Sequence, residues 1–189
     1  MPTANNIYYF AYQETQKGKL PVVLIHGAGG HHLHWSAHTR RMEDFRVFAL
    51  DLPGHGRSEG RGYQSITSYT DHILNWMDEL QMNQAAFVGH SMGGGIAMTL
   101  GLEHPDRTIG LGLIGTGARL RILPALIEAA GRDETFPLAV EKMIEMSFSV
   151  ESDPRLVELA GARMVETRPS VLQGDFLACD KFDIMGRVS

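Results

Sequence analysis

Residues 89–95 read Gly89-His90-Ser91-Met92-Gly93-Gly94-Gly95 and follow directly on the apolar run Ala85-Ala86-Phe87-Val88. From Ile96 to Leu102 the apolar residues keep helical spacing, until His104-Pro105 stops them. An apolar strand, a glycine-flanked serine and a helix start together define a sharp strand-to-helix turn. Such a turn holds the serine Oγ clear of the sheet, and its glycines tolerate close backbone contacts and strained dihedrals. The next amide, that of Met92, opens the helix and can meet developing negative charge. Ser91 is therefore the candidate nucleophile and Met92 a candidate oxyanion donor. The five-residue pattern carries weight only through its flanks; the alternative is an ordinary glycine turn.

A second element agrees. Val22-Val23-Leu24-Ile25, a short run of the kind buried on both faces of a parallel sheet, ends in His26-Gly27-Ala28-Gly29-Gly30. A loop of this kind can present a second backbone amide, that of Ala28, to the same oxyanion. His26, Gly27, Gly29 and His90 are candidates to line the pocket. A phosphate-cradling loop is the competing reading, but the Lys-Ser/Thr ending of that motif is missing.

Working outward, Ile7–Tyr12 is β-branched and aromatic and reads as an opening strand. Further strands are expected at 46–50, 85–88 and Thr108–Ile114. Ile66, Tyr69, Ile73, Trp76/Met77 and Leu80 recur at helical spacing, with Ser68 and Asp71 as a start signal. Alternating strands and helices predict an α/β fold with a mostly parallel sheet and flanking helices. From Arg119 the texture changes to amphipathic stretches at 123–130, 139–148, 156–165 and 171–179, broken by Gly131-Arg132-Asp133, Ser152-Asp153-Pro154 and Arg168-Pro169. These predict a helical cap.

Strand-His26-Gly27-Ala28-Gly29-Gly30, then Asp51-Leu52-Pro53-Gly54-His55-Gly56-Arg57-Ser58, then Gly89-His90-Ser91-Met92-Gly93-Gly94 resembles the α/β-hydrolase superfamily, in its serine esterase/lipase-like branch. The resemblance is strong over residues 5–120 and reaches the cap only by position. It implies an incomplete hydrolase core at 1–118, a helical cap or lid at 119–185, and a truncated return to the core at 186–189. It further implies a serine hydrolase that cleaves a small-molecule carboxylic ester through an acyl-enzyme. Thioesterase, lactonase, C–C hydrolase and perhydrolase branches stay open. Serine rather than aspartate at the nucleophile position argues against the dehalogenase and epoxide-hydrolase branches. The loop from Asp51 is structural in such proteins, so Asp51 is not taken as the triad acid.

Composition narrows the classes. The 189 residues carry 17 Lys+Arg against 22 Asp+Glu, a net charge of -5, which suits phosphate backbones poorly; no nucleic-acid partner is expected. One cysteine, Cys179, rules out an intrachain disulfide framework and a Cys-based zinc site. With no basic and apolar leader at the N-terminus, a cytoplasmic protein is expected. The uncharged stretch 81–102 holds five glycines, a His and a Ser, and reads as strand, turn and helix rather than a membrane span. No cofactor and no metal are expected. Gly110-Leu111-Gly112-Leu113-Ile114-Gly115 spells a dinucleotide fingerprint but lies inside an apolar run, with no helix opening at it. His34 and His38, one helical turn apart within a cluster that includes His31 and His32, invite a metal but lack an accompanying Glu. Met143, Met146 and Met164 could line an adaptable acyl pocket.

The triad inventory does not close. The family order is Ser, then Asp or Glu, then His. The only histidine after Ser91 is His104, which lies 13 residues along the helix and, at about 1.5 Å per residue, roughly 20 Å away. Upstream, His26, His55 and His90 remain, and the resemblance gives His26 and His55 structural roles. No acid and no base are assigned within the chain, which reads as the N-terminal two-thirds of a hydrolase and as poorly active or inactive alone. Without the strand that follows the cap in such proteins, Thr108–Ile114 would be an open apolar edge, covered by a homo-oligomer or a further C-terminal segment. The rival reading is a non-catalytic remnant that binds a small acyl ligand or a partner chain. An active-site serine probe separates the two.

Overall fold

The computed structural model describes residues 2–188; the readings that touch Met1 and Ser189 lie outside it. One six-stranded sheet runs through the chain. Its strands are β1 (Thr3–Ala4), β2 (Ile7–Tyr12), β3 (Leu20–Ile25), β4 (Phe45–Leu50), β5 (Ala85–His90) and β6 (Thr108–Ile114), arranged β1-β2-β4-β3-β5-β6. β3 pairs in parallel with both β4 and β5, and β5 pairs in parallel with β6. β2 joins β4 antiparallel. The sheet is therefore mixed, with a parallel centre, as the alternation of strands and helices predicts.

The double burial of β3 explains its continuous apolar run. Val23 and Ile25 join the main core, and Val22 and Leu24 join a smaller cluster with Trp35, Val47 and Ala49. On the main face lie α1 (Ile66–Glu79) and α2 (Met92–Glu103), packed on each other. α1 buries Ile66, Tyr69, Ile73, Trp76 and Met77, the stripe its spacing predicts. Its start differs from the expected one. Ser65, not Ser68, is the N-cap, and its Oγ accepts the Ser68 N–H at 3.3 Å. β5 runs two residues beyond the apolar run because Gly89 and His90 still pair with Leu113 and Ile114.

Four helices follow β6: α3 (Pro124–Ala130), α4 (Phe136–Ser147), α5 (Pro154–Met164) and α6 (Pro169–Lys181). Each has a proline at its first or second position, where the missing N–H costs nothing and φ is preset. Residues 118–120 and 182–184 lie side by side at the root of this excursion. There Leu120 N donates to Phe182 O at 3.3 Å and Ile184 N to Ala118 O at 2.8 Å. The Arg119 and Arg121 guanidinium groups pair with Asp183. Among the described residues no helix is long and apolar enough to cross a membrane.

Candidate active site at the switch point of the sheet

From β3 the chain crosses to β4 on one side, and from β5 it crosses to β6 on the other. Neighbouring strands whose continuations diverge leave a crevice at their carboxyl ends, the usual ligand site of an open α/β sheet. The loop 26–30 and the turn at Ser91 follow β3 and β5 and so both lie at this switch point. A Cβ placed on Gly27 would stand 3.2 Å from Ser91 Cβ and 3.0 Å from His90 Nδ1, which measures how closely the two segments approach.

Ser91 is the N-cap of α2 and holds φ 52, ψ −118, a conformation that L-residues avoid at a cost of about 1–3 kcal/mol. The surroundings enforce it. A Cβ on Gly89 would strike the Gly93 carbonyl, and one on Gly93 would strike the Ile25 carbonyl. Ser91 N donates to Ile114 O at 3.0 Å, and Ser91 O accepts from Gly94 N, Gly95 N and Thr116 Oγ1. The backbone is thus fully tied down, while Ser91 Oγ has no hydrogen-bond partner among the described residues. The Met92 amide is the first of α2 and has no intrahelical acceptor.

On the facing loop, Gly30 N donates to Gly27 O at 3.0 Å, closing a turn with Gly29 at φ +63. The Gly27 carbonyl also faces His26 Nδ1 at 2.8 Å. Ala28 is buried, and among the described residues no acceptor takes its N–H. The arrangement therefore sets a strained, unengaged serine hydroxyl beside two unengaged backbone amides.

The histidines have other duties. His26 is buried; its Nε2 accepts the Leu52 N–H at 3.0 Å, and its Nδ1–H faces the Gly27 carbonyl. Burial and the charge of His55 hold its imidazole well below the ordinary range, so it stays neutral. His26 therefore supports the loop from beneath and does not line the pocket as expected. His55 is also buried, with Nδ1 3.1 Å from Pro53 O and Nε2 2.7 Å from Asp175 Oδ2. Both neighbours are acceptors, so both ring nitrogens act as donors. Burial opposes the charge, but Asp175, the Pro53 carbonyl and Asp51 outweigh it and raise the His55 pKa. His104 caps the far end of α2. His90 is exposed, its ring beside Gly27 and Gly115. Gly29 is buried against α5 and α6, where a Cβ would meet Leu172 at 3.0 Å and Met164 at 3.3 Å. Of Met143, Met146 and Met164, Met164 reaches this loop, Met143 packs against the main core and Met146 is 64% exposed.

His34 and His38 do not share a helical face, because they belong to separate 3-10 turns around Trp35. His31, His32 and Asp51 do bring one ligand atom each within 4.8 Å of one another. The Asp51 carboxylate already accepts from His32 N at 2.6 Å, His32 Nδ1 at 2.8 Å and Arg57 N at 2.9 Å. Burial works to raise the Asp51 pKa, but these bonds lower it overall. These bonds tie Asp51 to two loops; His31 takes part in none of them, and its Nε2 is buried without a hydrogen-bond partner among the described residues.

Sequence reasoning missed Asp175, Thr167 and Thr116. Asp175 had a legible signal: it falls in the buried stripe of α6 with Val171, Leu172, Phe176 and Cys179, where a carboxylate needs partners. The hydroxyls had none, since threonine is ordinary in loops.

Comparison with known proteins agrees with this geometry. The model of the "Alpha/beta hydrolase family" matches residues 22–182. A solved enol-lactonase from Burkholderia xenovorans LB400 superposes with a TM-score of 0.86 at 25% identity, over 94% of this chain and 71% of that one. The 2-hydroxymuconate semialdehyde hydrolase of Pseudomonas sp. strain CF600 is 33% identical over 123 residues, 61% of this chain and 44% of that protein. The pimeloyl-[acyl-carrier protein] methyl ester esterase of Photorhabdus laumondii is 33% identical over 101 residues, 53% of this chain and 37% of that protein. The chain spans less than half the length of these curated relatives, and 23% of an abhydrolase domain-containing protein of Caenorhabditis elegans. With the serine turn, the facing glycine loop and the switch-point crevice in place, the chain belongs to the alpha/beta hydrolase family.

Proposed function

We propose that the protein is a serine hydrolase of small carboxylic esters, with Ser91 as nucleophile and the Ala28 and Met92 amides as the oxyanion hole. In this reading Ser91 Oγ gives its proton to a base and bonds to the ester carbonyl carbon. The carbonyl oxygen becomes an oxyanion between the two amides. Collapse breaks the bond to the alkoxy group, which leaves with a proton, and water then releases the acid from the acyl-serine. The observation that carries the reading is the pairing of a strained serine, whose Oγ is unengaged, with two amides that no acceptor occupies. Lactones are esters, and an enol-lactonase and a methyl ester esterase among the similar proteins support this substrate class.

The base is the missing part. His26 and His55 have both ring nitrogens engaged, His104 is at the far end of α2, and no hydrogen bond joins the His90 ring to Ser91. The proposal therefore takes the base and its acid from outside residues 2–188. The test is turnover of a short-chain aryl ester by the 189-residue chain and by its whole open reading frame. We expect turnover from the whole frame that Ser91→Ala abolishes. The short chain should retain at most about 10³–10⁴-fold over water, from the oxyanion site alone. Full activity in the short chain would place the base among His26, His55 and His90 and overturn that assignment. Turnover that survives Ser91→Ala would overturn the acyl-enzyme.

A further inference from the structure

Asp175 lies on α6, in the cap, and is completely buried. It has no part in the chemistry above, yet three elements of the core donate to it. Oδ2 accepts the Gly29 N–H at 2.8 Å and faces His55 Nε2 at 2.7 Å, and Oδ1 accepts the Tyr69 hydroxyl at 2.6 Å. Gly29 is held by the cap on its other side too, where its carbonyl accepts Thr167 Oγ1 at 2.9 Å. Leu172 and Met164 close over its α-carbon. The third residue of the turn Gly27-Ala28-Gly29-Gly30 is thus gripped by the cap at its N–H, its C=O and its Cα.

This grip decides which turn the loop adopts and where that turn sits. In the turn Gly27-Ala28-Gly29-Gly30, φ +63 at Gly29 is the mark of a type II turn. Types I and II differ by a flip of the central peptide, which carries the Gly29 N–H. An acceptor fixed at Asp175 selects one of the two. The preceding peptide is planar and trans, so holding the Gly27 carbonyl against Gly30 N and His26 Nδ1 sends the Ala28 N–H the opposite way.

We propose that Asp175 is a positioning residue for the oxyanion site: from the cap it grips the Gly29 amide and so holds in place the turn that carries the Ala28 N–H. Docking of the cap and assembly of the oxyanion site are then one event. The proposal rests on the reading of Ala28 and Met92 as oxyanion donors. It is distinct from simple attachment of the cap, because other cap–core bonds avoid this loop. Arg168, for example, donates to the Gly54 and Gly60 carbonyls.

The test compares Asp175→Asn, Thr167→Val and Arg168→Ala in the protein expressed from its whole open reading frame. Backbone amide resonances are followed by NMR, and the affinity for phenylboronic acid, which forms a tetrahedral adduct on an active serine, is read by boron NMR. Asp175→Asn should move the Gly29 and Ala28 resonances and weaken adduct formation at least about tenfold, a misaimed donor costing less than a removed one. Thr167→Val, which keeps Asp175 intact, should do the same to a smaller degree, and it serves if Asp175→Asn does not fold. Arg168→Ala should loosen the cap but leave both readouts unchanged. The proposal is overturned if the Ala28 resonance stays in place in both Asp175→Asn and Thr167→Val, or if Arg168→Ala reproduces their effects. If the amides move as expected but the unmodified chain forms no adduct, the oxyanion reading itself has failed, and the positioning role falls with it.

Discussion

The two sides of β5 contrast sharply. Toward β3, the carboxyl ends of the strands meet loops in which buried polar groups have partners: His26 with Leu52, Asp51 with His32 and Arg57, and Asp175 with three donors. Toward β6, the sheet stops at a seven-residue edge strand that leaves Ile109, Leu111, Leu113 and Ile114 44–49% exposed. Ile109, Leu111 and Leu113 line an apolar groove of about 370 Å³ with Met98, Leu102 and Val188. The opposite edge of the sheet ends in β1, only two residues long, which is a normal way to blunt an edge. Substitutions on the β3 side of β5 should therefore be severe, and those on the β6 side mild for folding but not for association.

The largest expected effect is at the serine turn. Gly93→Ala drives a methyl into the Ile25 carbonyl, backbone against backbone, with no flexible side chain to give way. We expect a loss above about 4 kcal/mol, seen as failure to fold or loss of the cooperative urea transition. A stable, soluble Gly93→Ala protein with an unchanged transition would contradict the tight-turn account.

Next is His55→Ala, which leaves Asp175 buried without its charged partner. Breaking such a pair costs about 3–5 kcal/mol, readable as a lower urea midpoint. A change below about 1 kcal/mol would mean that the pair carries no charge.

The same pair predicts a pH dependence. The His55 pKa is raised in the folded state, so its stabilisation is complete below the unfolded value of about 6.5 and is lost as pH rises through the folded value. His26 behaves in the opposite way: its lowered pKa makes stability fall as pH drops below about 6.5. A maximum in the urea midpoint between these limits is expected, with an alkaline slope of at most about 1.4 kcal/mol per pH unit from His55. Stability that climbs steadily into the alkaline range would contradict it.

The smallest folding effect is expected at the edge. Leu111→Lys should change stability by no more than about 0.5 kcal/mol, while sedimentation shows less self-association than the unmodified chain. Equal association in both would remove the edge as its cause.

How much of this was legible depended on how local the signal was. The serine turn, the glycine loop and the strand runs each lie within a few consecutive residues, and they predicted the sheet and the position of Ser91. The four helices after β6 were visible in their periodicity, and Pro124, Pro137, Pro154 and Pro169 mark their starts. What stayed hidden is long-range: Asp175 meets Gly29 across 146 positions and His55 across 120. His26 looked like a pocket residue because a histidine at the end of a strand points either way. Only the partner at Leu52 settles it.

The account stands or falls on the covalent role of Ser91. The direct measurement is acid-quenched incubation of the protein with an activated aryl acetate, followed by mass mapping of the peptides. The account predicts a single acetyl group on the peptide that carries Ser91, absent in Ser91→Ala. Acetylation confined to other peptides, or unchanged in Ser91→Ala, would contradict it.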